Sequence, residues 1–325
     1  MTILPLARRA FALIPVLVCL VLVLGVVTAM QYAAWRALQG AATQWNGQRA
    51  LYAANAAITE ALATWRATAV ADLPIGSSIE STDARDDIAL HTSIMRSAPQ
   101  IAVLSATAEP RDGGMRFRRV VRRVVRLESP ALPMLAAVTV LGDGAIDGAL
   151  IDARDAIRPL DARSDDCGAL RDTLSSVPVR FIGRDSLGVR MRADFDRGWS
   201  TIAGVTSVVG EGLLDGGAWR AWRIGSGSRV TLTGTRAVRG VLAVDGDLQI
   251  DGTLQLEGLL LVRGALLTSS GRAAITGAVV IRDAGNSGIT TLRTLQLQYN
   301  ACLVGRALAT VSVPRSAPFD TWFTP

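Results

Sequence analysis

The sequence predicts an α+β protein, with a long N-terminal membrane helix followed by a mainly β exported domain that contains a short β-solenoid. Three observations carry this. Residues 10–30 contain no charged side chain, a helical pattern continues from there to residue 68, and glycine returns every six residues through most of 229–282. The length of 325 residues, half of them hydrophobic, accommodates a membrane segment and one or two further domains.

The uncharged run is dense in Val and Leu. As a helix it extends about 30 Å at ~1.5 Å per residue, the thickness of a bilayer core. Arg8 and Arg9 precede it directly. The positive-inside bias therefore leaves the N-terminus in the cytoplasm and everything after Met30 on the far side. The competing reading is a cleaved signal peptide, with Val27-Thr28-Ala29 as the small-residue site. Against it stand the length of the run and the proline-free continuation through residues 31–68, which Gly40 and Gly47 weaken without ending.

The chain then divides into blocks. Residues 69–97, with Pro74-Ile75-Gly76 and Asp83, Asp86 and Asp87, read as a polar connector, the first part of a 69–137 segment. Residues 101–108 and 115–128 flank Asp112-Gly113-Gly114 and read as a β-hairpin. Its second arm carries six arginines and also fits helical spacing, but β-branched Val120, Val121, Val124 and Val125 favour a strand. The arginines of such a strand read as a solvated face. Residues 138–155 read as a first glycine-marked rung, 156–228 as an insertion, 229–282 as the solenoid and 283–325 as a C-terminal segment.

Within the solenoid, Gly234, Gly240, Gly246, Gly252, Gly258 and Gly264 keep the six-residue period, and Gly271 and Gly277 follow after a one-residue insertion. Alternation places Leu242, Val244, Leu248, Ile250, Leu254, Leu256, Leu260 and Val262 on one inward face. Three six-residue sides make one coil, and roughly three coils are about the minimum that buries a repeat core. A meander of hairpins at Asp245-Gly246 and Asp251-Gly252 is the alternative, disfavoured because strands this short are barely stable as hairpins.

The residues exclude several chemistries. All 34 basic residues are arginine, so a Walker A lysine, a Schiff-base lysine and a serine-lysine pair are absent. The single histidine, His91, supplies neither a zinc site nor a catalytic triad. Gly210-Glu211-Gly212 and Gly225-Ser226-Gly227 lack a strand-to-helix phosphate context. Asp245, Asp247 and Asp251 do not match a calcium loop and read as solvated corner residues. No catalytic, metal or cofactor residue is assigned. Of the three cysteines, Cys19 falls in the membrane run, while Cys167 and Cys302 form the candidate disulfide of an exported domain. The net charge of +6 suits anionic surface polymers among the partners, and no nucleic-acid module is present.

Arg9-Ala10-Phe11-Ala12-Leu13-Ile14 resembles the type IV prepilin junction, which implies processing between Ala10 and Phe11. Residues 49–62 are similar to the alanine-rich helix of PilX-type minor pilins. The likeness covers about the first 65 residues. It implies an inner-membrane component of a type IV pilus or type II secretion-like machine, with other pilin-like subunits or inner-membrane assembly proteins as partners. Two positions depart from the pattern, Ala10 where glycine is usual and Pro15 where a glutamate usually sits. The missing charge implies a low-copy initiating or priming subunit. The repeat also resembles bactofilins at the level of fold alone. The alternatives are an anchored scaffold or adhesin and, third, a polysaccharide-active enzyme.

Overall fold

A computed structural model describes residues 7–98, 100–111, 117–142, 149–153, 177–183, 185–206, 208–210, 214, 217–225, 229–268, 270–282 and 291–316. A single helix, α1 (Ala7–Ala63), opens the chain, and its 57 residues extend about 85 Å. It is long and apolar enough to cross a membrane. Its last part presents Ala50, Ala54, Ala57 and Ile58, all buried, at i, i+4, i+7 and i+8. The backbone breaks at residues 64–66, and a short α2 (Ala67–Asp72) follows.

That buried stripe lies on an antiparallel sheet. Strands β1 (Ser78–Arg85), β2 (Ile88–Ala98), β3 (Ile101–Pro110) and β4 (Arg119–Glu128) pair in sequence order. The hairpin expected at 101–128 is present as β3 and β4, and its turn residues 112–116 lie outside the described set. The connector expected at 69–97 is instead mostly strand. Helix α1 packs mainly on β2, β3 and β4 and meets β1 through the Arg85–Glu60 ion pair, so β1 stays largely exposed and shows none of the apolar alternation that marks a half-buried strand. Small side chains let the helix approach closely, with Ala106 and Ala108 joining Leu104, Val121 and Val125 beneath α1.

The chain next enters the solenoid from its far end. β5 (Val138–Val140) and β6 (Leu150–Asp152) do not precede the first rung, as the expected order had it. They stack parallel on strands that come late in the sequence, and β7 (Val179–Phe181) pairs with β5. The stretch expected to be an insertion holds α3 (Ser186–Val205), β8 (Val208–Val209) and β9 (Arg220–Ile224), and β9 is itself a rung. Asp185 caps α3 by accepting from the Gly188 amide at 2.8 Å.

The coils wind through β10 (Arg229–Leu232), β11 (Thr235–Val244), β12 (Asp247–Ile250), β13 (Thr253–Val262), β14 (Leu266–Thr268), β15 (Arg272–Ile281), β16 (Thr291–Leu292) and β17 (Leu295–Tyr299). Short strands form one parallel sheet in the order β10-β12-β14-β16. A second parallel sheet, built around the three ten-residue strands, runs β6-β17-β15-β13-β11-β9-β8. Each ten-residue strand crosses a glycine at its middle, and Gly240, Gly258 and Gly277 stack in register. Their φ values of 112°, 133° and 145° bend the strand there, so one long strand provides two of the three sides. A Cβ on Gly258 would lie 2.2 Å from the Gly240 carbonyl oxygen, so the coils stack this closely only with glycine there.

The eight inward residues named from the sequence, from Leu242 to Val262, are all fully or almost fully buried. Beyond the bend the outward positions are buried too: Val241, Ala243, Leu259, Leu261, Ala278 and Val280. Helix α4 (Ala301–Ala309) explains this by packing on β11, β13 and β15. Helix α3 is tied to the ends of the same rungs, through Arg282 to Asp196 at 2.6 Å and through Arg263, 5.6 Å from the Trp199 ring. The chain then returns to the first sheet, where β18 (Val313–Ser316) pairs antiparallel with β4. The solenoid is thus inserted between two neighbouring strands of the helix-backed sheet.

Candidate assembly surface

The two modules meet at α2. Arg96, 2% exposed on β2, donates to the carbonyls of Ala71 at 3.2 Å and Leu73 at 2.8 Å. From the solenoid side Arg306 donates to the same Ala71 carbonyl, and its guanidinium lies 5.0 Å from the Trp219 ring. Asp72 accepts from the Trp219 amide at 2.9 Å. Buried carbonyls at the end of a six-residue helix are costly when unpaired, and these arginines satisfy them.

The most distinctive surface lies on α1, opposite the sheet. Leu38, Trp45 and Tyr52 fall seven residues apart and are 70%, 65% and 72% exposed. Seven residues are nearly two helical turns, so the three side chains form one stripe. Nearer the uncharged run, Tyr32 and Trp35 are also exposed, with ring centroids 6.5 Å apart. Arg36 lies 5.1 Å from the Tyr32 ring and donates to the Tyr32 hydroxyl. An aromatic pair with arginine just beyond an apolar run is the composition of a membrane-water interface. Below it, residues 16–30 expose Val16, Leu20, Val23, Leu24, Val27 and other large aliphatic side chains, a face that water does not solvate favourably.

Ala10 and Phe11 lie within α1, and their side chains fall outside the described set. The helix begins at Ala7, so Pro15 is interior to it and not in its first turn. There proline removes one intrahelical hydrogen bond and crowds the carbonyl four residues earlier. Cys302 is buried on α4, whereas Cys167 lies outside the described residues.

The three solenoid aspartates are not merely solvated corners. Asp245 accepts from Arg263 at 2.9 Å and Asp247 from the Ala265 amide at 2.8 Å, each one coil onward. Asp251 accepts from Ser270 and Gln249, which hold its carboxyl below the usual range. They clip successive coils together. His91 is exposed on the first sheet, with Nε2 3.4 Å from Glu109 and Nδ1 3.3 Å from Thr82. Among the described residues no group of three or more His, Cys, Asp or Glu side chains is placed to hold a metal.

A cavity of about 550 Å³ opens between the end of α1, α2 and the inner face of β1 and β2. Trp65, Ile79, Leu90 and Ile94 line it, with Glu60, Asp83 and Arg85 also on its wall. Arg85 pairs with Glu60 and Asp83, so these charges close on one another. No family model, curated protein or solved structure matches this chain.

Proposed function

We propose that the chain is a membrane-anchored, minor pilin-like subunit with an initiating or priming role in a type IV pilus or type II secretion-like assembly. The division of α1 is the observation that carries this reading. One continuous helix has an apolar first part exposed along residues 15–30, a stalk with the Leu38-Trp45-Tyr52 stripe, and a last part seated on an antiparallel sheet. Such a helix anchors the protein in a bilayer, and then packs beside other helices when it leaves the bilayer for a filament.

Arg8 and Arg9, by the positive-inside bias, support an orientation with the N-terminus in the cytoplasm and the β modules in the periplasm or on the cell surface. Processing between Ala10 and Phe11 brings Pro15 to the fifth position of the mature chain. The acceptor of its missing amide bond is then the terminal residue, so the proline costs little. In an oxidising compartment Cys167 and Cys302 pair, which intact-mass measurement with and without reductant detects as a loss of two hydrogens.

Deletion tests the role. Filament number should fall without a change in filament diameter, and purified filaments should contain the chain only in trace amounts. Its being the most abundant filament protein contradicts the priming role. Its absence from filaments, with assembly unaffected by deletion, favours an anchored scaffold or adhesin instead.

A further inference from the structure

The face of the first sheet that points away from α1 carries arginines, two of which have no acidic partner among the described residues. Strand alternation puts Arg122 and Arg126 of β4 on that face, because Val121 and Val125 between and beside them are buried under α1. Arg315 of β18 stands directly opposite Arg126. Like charges facing each other across antiparallel strands oppose the pairing that holds β18 in place. Glu128 pairs with Arg315, and no acidic group among the described residues pairs with Arg122 or Arg126. The nearest acid on the Arg122 row is Glu80, three strands away at about 14 Å.

Between the two arginines lies an aliphatic floor. Val124 stands opposite Val103, which stands opposite Met95, and Ile101 lies opposite Arg126. Val124, Met95, Ile101 and the nearby Val313 are exposed. The pattern along β4 is therefore guanidinium, aliphatic floor, guanidinium, with the arginine Cα atoms about 13 to 14 Å apart. The paired strands of this face carry no Phe, Tyr or Trp at an outward position.

We propose that this face binds a carboxylate-bearing polysaccharide, a polymer of uronic acid units. Guanidinium groups bind carboxylates through two parallel hydrogen bonds. The aliphatic strip between them accepts the C–H faces of sugar rings, and the polymer relieves the Arg126-Arg315 opposition. Single-stranded nucleic acid fits less well, since its bases dock by stacking on aromatic side chains that this face lacks. The inference does not depend on the assembly role of α1.

The test uses the full chain in zwitterionic detergent, titrated with polygalacturonate, and in separate arms with neutral dextran and single-stranded DNA. Polygalacturonate should bind saturably, dextran not at all, and DNA more weakly. Arg122→Gln/Arg126→Gln should weaken polygalacturonate binding by about tenfold or more. The control Arg190→Gln/Arg272→Gln removes the same charge from exposed sites elsewhere and should leave binding unchanged, with thermal unfolding matched for all three proteins. The proposal is overturned by a wild-type chain that does not bind, by a double variant that binds as the wild type does, or by equal loss in the control. Tighter DNA binding through the same arginines also overturns it in favour of a nucleic-acid surface.

Discussion

Gly258→Ala tests the stacking of the coils. The position has φ +133°, a conformation that costs a residue with a side chain about 1 to 3 kcal/mol. The added methyl would also sit 2.2 Å from the Gly240 carbonyl oxygen and 3.0 Å from the Ala307 Cβ. The first contact is with backbone, so β11 and β13 must separate locally and lose one or two ladder hydrogen bonds, each worth about 1 kcal/mol net. The sum is about 2 to 5 kcal/mol, a large share of the ~5 to 15 kcal/mol of a typical domain. Gly234→Ala is the control. Its φ is +70° but a Cβ there meets nothing within 4 Å, so only the left-handed strain of about 1 to 2 kcal/mol remains. Urea unfolding of the full chain in detergent, followed by far-UV circular dichroism, compares the two. Equal destabilisation by both variants would refute close stacking at Gly258.

Leu254→Asp places a carboxylate at a fully buried inward position and should cost several kcal/mol, abolishing the β signal in circular dichroism, whereas exposed Gln255→Asp should be tolerated. Arg96→Ala leaves the Ala71 and Leu73 carbonyls short of donors and should cost about 2 to 4 kcal/mol, with faster proteolysis of residues 64–77 as the readout. Ser270 and Gln249 lower the Asp251 pKa in the folded chain, so its contribution is present above the unfolded value near 3.8 and fades as pH falls through the lower folded value. Acid titration of the thermal midpoint should therefore show a shallower fall below that pH for Asp251→Asn than for the wild type.

The two ends of the architecture were legible because each rests on a one-dimensional pattern. The charge-free run specifies a membrane-length helix, and the six-residue glycine mark fixes which solenoid residues point inward. Less was legible where burial comes from distant partners. Ser78 to Arg85 gives no apolar alternation because β1 is the exposed edge of the sheet and α1 seats mainly on β2, β3 and β4, and Val313-Pro314-Arg315-Ser316 becomes a strand only through pairing with β4. Other signals lie in the sequence itself. Four-residue apolar runs at 241–244, 259–262 and 278–281 are the mark of strands buried on both faces, which α4 supplies. Leu187, Met191, Phe195 and Trp199 recur every four residues along α3, and Phe195 and Trp199 stack with ring centroids 5.9 Å apart. The order in which β5 and β6 join the solenoid is a matter of topology, which alternation does not encode. At the candidate assembly surface, the Leu38-Trp45-Tyr52 spacing is readable in the sequence, but which face of α1 the sheet leaves open is not.

The central claim is that α1 anchors the chain and then meets other helices through its open stripe. Photocrosslinking in intact cells, with a photoreactive residue replacing Trp45 or Tyr52 in turn, tests this most directly. The account predicts adducts from both sites to a single-pass membrane protein with an apolar N-terminal helix, and none when the residue replaces Ala54 beneath the sheet. A chain released as a soluble protein after cleavage at Ala29, or no protein adduct from either stripe position in a folded, membrane-bound chain, would contradict it.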